Sequence, residues 1–484
     1  MTNSEKFDLA VIGSGPGGHK AAIQALKLGK RVAIIDANPD IGGNCIHDGT
    51  IPSKSFREAI AHLSGYLQRQ HYGPAYRVKH DVEMKDLTDR ASGIETDLSQ
   101  TMRTQIQRNS GVIITGFASF VDNHTIKIVR DSTERYISAD KIIIATGTRP
   151  LRPETFDFDG DVILDSDSIL RIKNIPKTLT VVGGGIIGIE YGSMFAALGV
   201  KVTIVEQKEH LLSFLDREIV HSLEYSLREQ KTCIITGDKV LSCKKSNDGR
   251  AVTYLESGRR IVSEKLLVSA GRTGNVEKLG LDNIALKANA RGLLEVNEHF
   301  QVAGSEHIYA VGDIIGYPAL ASTAAEQGRR AAAFAFGLGE FNVDLPMPYG
   351  IYSIPEIGTV GATENELKAQ KIPYEYGIAR FNELERGRIL GDDSGILKIL
   401  FHRNNLKLLG VHIIGEGATE LVHVGQTVMA FGGGVDYLVN AVFNYPTLAT
   451  AYKTAALDGW NKVVDSQGIS EVEKLEEEEG KDLH

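Results

Sequence analysis

A glycine-rich turn between a strand and a helix occurs twice in this chain, and that duplication limits the fold more than any other feature. Phe7 to Ile12 is an apolar run ending at Gly13-Ser14-Gly15-Pro16-Gly17-Gly18. A helical pattern follows through Leu28, and a second strand, Arg31 to Ile35, closes on Asp36. Gly13 permits the tight turn, Gly15 lets the backbone approach a pyrophosphate, and Gly18 allows the helix to pack close to the strand, while the helix N-terminus offers free N–H groups. Asp36 stands where an acid reads a ribose. The second copy runs from Leu179 to Val182, through Gly183-Gly184-Gly185-Ile186-Ile187-Gly188 and a helix to Leu198, to a strand from Lys201 to Val205 that closes on Glu206. Each copy also ends in a small-residue turn after an apolar strand, Ala145-Thr146-Gly147 and Ser269-Ala270-Gly271, so the repeat extends beyond the glycines. Two such units predict two dinucleotide sites in an α/β fold.

The chain's 484 residues leave room for about three domains. A net charge of -9 with no basic block argues against a nucleic-acid partner. Cys45, Cys233 and Cys243 are too scattered for a disulfide framework or a zinc site, so no metal is expected, and a reducing cytoplasm is the expected location. The polar start carries no secretory apolar segment, and stretches such as Ala331 to Leu338 are too short to span a bilayer. Val240 to Val262 alternates, with turns at Asn247-Asp248-Gly249 and Ser257-Gly258, which predicts a β-meander. From Pro346 the character changes, with strands near Lys398 to Phe401 and Val411 to Gly415. The acidic Ser466 to His484 reads as a solvated tail.

Gly42-Gly43-Asn44-Cys45-Ile46-His47-Asp48-Gly49-Thr50-Ile51-Pro52-Ser53-Lys54 resembles the redox segment of the flavin disulfide reductases with one cysteine missing. Thr50 stands where that family places its second sulfur, and a hydroxyl cannot close a disulfide. A cysteine and then a threonine before Ile-Pro-Ser-Lys is similar to the pattern of the soluble pyridine nucleotide transhydrogenases. So are Gly271-Arg272-Thr273-Gly274-Asn275, Gly312-Asp313-Ile314-Ile315-Gly316-Tyr317-Pro318, Gly350 to Glu356 and Phe443-Asn444-Tyr445-Pro446-Thr447. The resemblance covers residues 6 to 463. It implies tandem Rossmann-like FAD- and NAD(P)-binding domains plus a C-terminal α+β dimerisation domain. The implied boundaries are 1–150 and 276–345 for the FAD-binding domain, 151–275 for the NAD(P)-binding domain, 346–465 for the interface domain of a homodimer or higher oligomer, and 466–484 for the tail.

The same resemblance implies site residues. For FAD they are Gly13, Gly15, Gly18, Asp36, Gly43, Cys45, Lys54, Thr146, Gly147 and Asp313; for NAD(P) they are Gly183, Gly185, Gly188, Glu190, Glu206 and Gly271. Lys54 is expected beside the flavin edge, paired with Glu190, and the turn before Ala319-Leu320-Ala321-Ser322 is expected to place a helix N-terminus near the flavin's pyrimidine edge. Asp313 holds the ribityl chain in such proteins; read without the resemblance it is a turn aspartate. Cys45 reads either as a sulfenate redox centre, with His47 able to ionise it, or as a small hydrophobe. Cys233, in an apolar strand, and Cys243, near a turn, have no evident chemical partner. Tyr445 stands where disulfide reductases carry the histidine that protonates the leaving thiol, and a phenol with a pKa of ~10 is a poor neutral-pH base. It either belongs to that altered site or packs the dimer interface. Thr450 likewise replaces the glutamate that orients that histidine. Glu206 favours NAD over NADP, with Lys208, His210 and Lys201 close enough in sequence to offset it. The implied activity is reversible, ping-pong hydride transfer between NADPH and NAD through FAD, with NAD(H) and NADP(H) as substrates. An NADH oxidase or diaphorase passing electrons to oxygen or quinone, a dihydrolipoamide dehydrogenase-like relative without its disulfide, and a flavin-bearing subunit of a larger assembly stay open.

Overall fold

The computed structural model describes residues 5–73, 75–339 and 345–463; the acidic tail lies outside them. The architecture is α/β, as the repeats predict. Contacts divide the chain into two compact units. The first comprises Met1–Phe56, Glu83–Asn174 and Val268–Asn342, and the second Arg57–Val82, Ile175–Leu267 and Val343–His484.

The first unit is built on a seven-stranded sheet. Its central strand, Glu5–Ile12, pairs in parallel with Val32–Asp36 on one side and Thr133–Ile144 on the other. Thr133–Ile144 serves two partners: its first half pairs antiparallel with Thr125–Arg130, and its last three residues pair in parallel with Ile308–Ala310. The strand after the second repeat thus returns to the first sheet, as the resemblance implies. Side chains alternate across the sheet. Ile12, Ile35, Ile142 and Ile144 pack with Leu294 and Ile314 on one face; Val11, Ile34 and Ile143 pack with Ala22, Ala331 and Ala332 on the other. Burial of each such isoleucine contributes about 1.5–3 kcal/mol. Helices Pro16–Lys27 and Ala321–Ala335 cross so closely that a Cβ on Gly328 would lie 1.9 Å from the Gly17 carbonyl oxygen, which explains their run of small residues.

The second unit repeats the parallel pattern, with Cys233–Thr236, Lys201–Glu206, Thr178–Val182 and Lys265–Val268 side by side. The expected meander is present as Val240–Lys245, Ala251–Leu255 and Arg260–Ser263. Cys243 is mid-strand and buried, not beside a turn, and it does have a partner, since the Thr253 hydroxyl donates to its Sγ at 3.6 Å. The C-terminal part is a five-stranded antiparallel sheet, ordered Tyr349–Ile351, Ile357–Gly361, Leu408–Ile414, Ile396–His402 and Tyr374–Arg380. It packs around Phe381, Phe401, Val411 and Tyr452. Lys398, 1% exposed, is held there by ion pairs to Asp216 at 2.9 Å, to Glu218 at 3.2 Å, and to Glu364. Asp216 also caps the helix Arg217–Glu229 by accepting from Glu218 N. No helix among the described residues is long and apolar enough to cross a membrane.

Candidate functional site

The two glycine turns adopt one geometry. Gly13 N donates to Ile35 O at 2.7 Å with φ +104°, and Gly183 N donates to Val205 O at 2.8 Å with φ +102°. These left-handed values are open to glycine and costly for other residues. Gly18 is fixed for a different reason, because a Cβ there would lie 1.9 Å from the Gly13 carbonyl oxygen. In each copy the acid closing the second strand folds back onto the turn. Asp36 Oδ2 accepts from Ser14 N at 2.8 Å and from Ser14 Oγ at 2.5 Å, while Glu206 Oε2 accepts from Gly184 N at 2.5 Å. Asp36 Oδ1 takes Asn38 N and Glu206 Oε1 takes Lys208 N, both at 2.8 Å.

In the first unit this cradle fits a flavin adenine dinucleotide. Space is open in front of Gly15 and Gly147, where a Cβ would touch nothing within 4 Å, and the buried Thr146 hydroxyl has no protein partner. Gly43 sits against Gly15, and Gly42 N donates to Ser14 Oγ at 2.9 Å, so the redox segment is fastened to the glycine turn. Asp313 lies in the short helical turn Gly312–Ile315 and accepts from Thr148 Oγ1 at 3.2 Å.

Cys45 and Thr50 meet across the gap between the helices Gly43–His47 and Thr50–Ser64, and the Thr50 hydroxyl hydrogen-bonds the Cys45 sulfur. Burial pushes the Cys45 thiol up; the Thr50 bond opposes that, nearby Asp313 adds to it, and Lys54 opposes it. The net effect keeps the sulfur protonated. His47 turns its Nε2 to Ile41 O at 3.3 Å instead of serving the thiol. Lys54 Nζ donates to Ser53 Oγ at 3.3 Å. The first unit therefore brings together Cys45, Thr50, Lys54 and Asp313.

The second cradle holds Glu206, Gly183, Gly185 and Gly188 at the start of the helix Ile186–Ala197. Open space lies in front of Gly185 as it does in front of Gly15, which suits a second pyrophosphate. Glu190 on that helix is 5% exposed, and its Oε1 accepts from Tyr352 N at 2.8 Å. Lys208 reaches Ser213 Oγ at 3.2 Å, and His210 Nε2 meets Arg217 Nη2 at 2.5 Å. Arg217 is a cation that reading by sequence neighbourhood overlooks, because it lies one turn beyond the basic residues after Glu206. Gly271, expected with the second nucleotide, belongs to the first unit, where φ is +109° and its carbonyl accepts from Leu151 N at 2.9 Å. Arg272 and Thr148, each directly after a turn glycine, are also missed by motif reading, and they are hydrogen-bonded to one another.

Tyr445 is 70% exposed, and its pKa is raised by desolvation and by a hydrogen bond to Glu385, so even less phenolate is available at neutral pH than from a free phenol. Thr450 Oγ1 donates to Thr447 O at 2.6 Å. Among the described residues the carboxylates of Asp216, Glu218 and Glu364 lie close enough to share one cation, and the Lys398 ammonium fills that role.

Comparison with known proteins gives concordant matches. Residues 7–328 match the family described as pyridine nucleotide-disulphide oxidoreductase, and residues 347–456 match its dimerisation domain. A soluble pyridine nucleotide transhydrogenase of Mycobacterium bovis is 50% identical over 461 residues, 95% of this chain and 98% of that one. Another, from Yersinia pestis, is 44% identical over 463 residues, 94% and 98% of the two chains. The crystal structure of LpdA from Mycobacterium tuberculosis matches with a TM-score of 0.85 at 25% identity, over 94% of this chain and 99% of that one. The HOCl-induced flavoprotein disulfide reductase RclA from Escherichia coli shares the fold, with a TM-score of 0.83 at 24% identity over 93% and 99%.

Proposed function

Because the chain belongs to the pyridine nucleotide-disulphide oxidoreductase family, we propose that it is an FAD-dependent soluble transhydrogenase, moving hydride reversibly between NADPH and NAD by a ping-pong route. The relatives named above support the nucleotide pair. The observation that carries the reading is the hydroxyl of Thr50 bonded to Cys45, where a dithiol would need its second sulfur. With no disulfide available there, electrons have to leave directly from the flavin, and a second nicotinamide is the acceptor proposed.

When bound, FAD supplies the hydride acceptor and donor, and the protein supplies position and field. The first glycine turn and Asp36 hold the adenosine end, with Gly43, Thr146, Gly147 and Asp313 along the rest. Lys54 is assigned to keep positive charge at the flavin edge, where it favours negative charge on the ring. Gly183, Gly185, Gly188 and Glu206 take the nicotinamide dinucleotides in turn. The domain division at 150, 275 and 345 belongs to this proposal, as do a homodimer built by residues 346–465 and a cytoplasmic location. An oxidase acting through a Cys45 sulfenate is disfavoured by the protonated state of that thiol.

The test is anaerobic reduction of NAD by NADPH with the FAD-loaded protein. Sustained transfer is expected; turnover that requires oxygen would replace this reading with the oxidase, and a bound flavin that NAD(P)H fails to reduce would leave a non-enzymatic subunit.

A further inference from the structure

Thr148 is a meeting point for three segments of the first unit. It opens the strand Thr148–Pro150, which pairs antiparallel with Arg272–Gly274, and it is 5% exposed. Arg272 grips it at two points, Nε donating to Thr148 Oγ1 at 2.8 Å and Nη2 to its carbonyl oxygen at 2.9 Å. Asn44 Nδ2 donates to the same carbonyl at 2.5 Å. The Thr148 hydroxyl then lies 3.2 Å from Asp313 Oδ2.

The direction of this chain follows from chemistry. A guanidinium only donates, so Thr148 Oγ1 must accept from Arg272, and a carboxylate only accepts, so the single hydroxyl hydrogen goes to Asp313. We infer that Arg272 and Thr148 form a directed relay, guanidinium to hydroxyl to carboxylate, which orients Asp313 for the flavin. The inference rests on flavin binding by this unit, as proposed above.

The relay occupies one oxygen of Asp313 and stops the carboxylate from rotating, so that Oδ1 is left for a ribityl hydroxyl. It supplies a fixed cation one residue removed from an acid that faces the half-buried Cys45. Asp167 lies within reach of the same guanidinium, so Arg272 balances two carboxylates. Asn44 precedes Cys45, and through it the redox segment and Asp313 are fastened to one residue. Successive polarisation makes such a chain stiffer than its separate bonds. Arg272 acts through Thr148 and is a positioning residue.

The test measures FAD affinity of the stripped protein by fluorescence titration, together with the visible spectrum and midpoint potential of the bound flavin. The variants are Thr148→Val, Thr148→Ser, Arg272→Gln and the double substitution Thr148→Val with Arg272→Gln. Thr148→Val and Arg272→Gln are each expected to weaken FAD binding about tenfold, in the range of one hydrogen bond to a charged group. Both should move the flavin spectrum and potential in the same direction, and Thr148→Ser should restore the parent values. The double variant should be little worse than either single one, because the two residues act in series. Affinity within about twofold of the parent in both single variants, or losses that simply add, overturns the relay. Should Thr148→Val lose its far-UV circular dichroism, Arg272→Gln and Thr148→Ser decide the matter alone: unchanged affinity and potential for Arg272→Gln, or no retention by Thr148→Ser, overturns it. A parent protein that takes up no FAD overturns the relay and the proposed function together.

Discussion

Cys45 keeps its proton because burial, reinforced by Asp313, outweighs the Thr50 hydroxyl and the Lys54 charge that favour the thiolate. A sulfur in that state is a packing atom with a hydrogen-bond partner. Cys45→Ser is therefore expected to leave NADPH-to-NAD transfer within about fivefold of the parent. A loss of a hundredfold or more with FAD still bound would make the sulfur a catalytic group. Lys54 is expected to behave in the opposite way. Lys54→Ala should slow flavin reduction in stopped flow by roughly a hundredfold, the usual effect of deleting one preorganised charge or donor, while dinucleotide affinity stays nearly unchanged. An unchanged rate removes Lys54 from the mechanism.

At the scale of elements, the glycine turns and the strands around them were legible because each is determined by neighbours in sequence. The turn, its helix and the closing acid follow one another within 24 residues in the first copy, from Gly13 to Asp36, and the structure reproduces them in both copies. What sequence concealed is where side chains end. Thr148 and Arg272 are 124 positions apart and touch only because two short strands pair. Cys243 lies four residues before the turn at Asn247-Asp248-Gly249, inside the strand Val240–Lys245, and its partner Thr253 comes from across the hairpin, which local sequence does not show. The loop after Glu206 shows the same limit: Lys208 is tied to Ser213, while Arg217 joins His210 from the following helix. On the proposed reading, Glu206 would repel a 2′-phosphate. The parent should bind NADH more tightly than NADPH, Glu206→Ala should narrow the gap, and Lys208→Ala should widen it. The Lys208→Ala change should be about fivefold, as a surface charge contact contributes about 1 kcal/mol at most. Dissociation constants for both nucleotides check this, and equal parent affinities unmoved by Glu206→Ala place ribose reading elsewhere.

Across the molecule, a buried cation ties together two parts of the second unit. Lys398 pairs with Asp216, Glu218 and Glu364, residues drawn from the nucleotide-fold part and the C-terminal part of that unit. Lys398→Met leaves three carboxylates facing one another and should cost about 3–5 kcal/mol of stability by denaturant unfolding. Burial alone would raise Glu364, but hydrogen bonds from Lys398, Tyr374 and Lys368 bring it down to about 2. Its folded pKa lies below the unfolded value, so its contribution is complete above pH 4.5 and fades as pH falls toward about 2. Acid unfolding of the Lys398→Met protein should accordingly begin at a different pH from that of the parent, and coincident acid transitions would show that the network carries no linkage. The lone sulfur has a further meaning for the molecule in a cell. Trivalent arsenicals inactivate by bridging two neighbouring thiols, and enzymes that cycle through a dithiol become targets once they have been reduced. Here the neighbour of Cys45 is an alcohol, so phenylarsine oxide added after NADPH should leave hydride transfer intact. On the proposed function, nucleotide exchange is thus expected to continue under conditions that block enzymes relying on a dithiol.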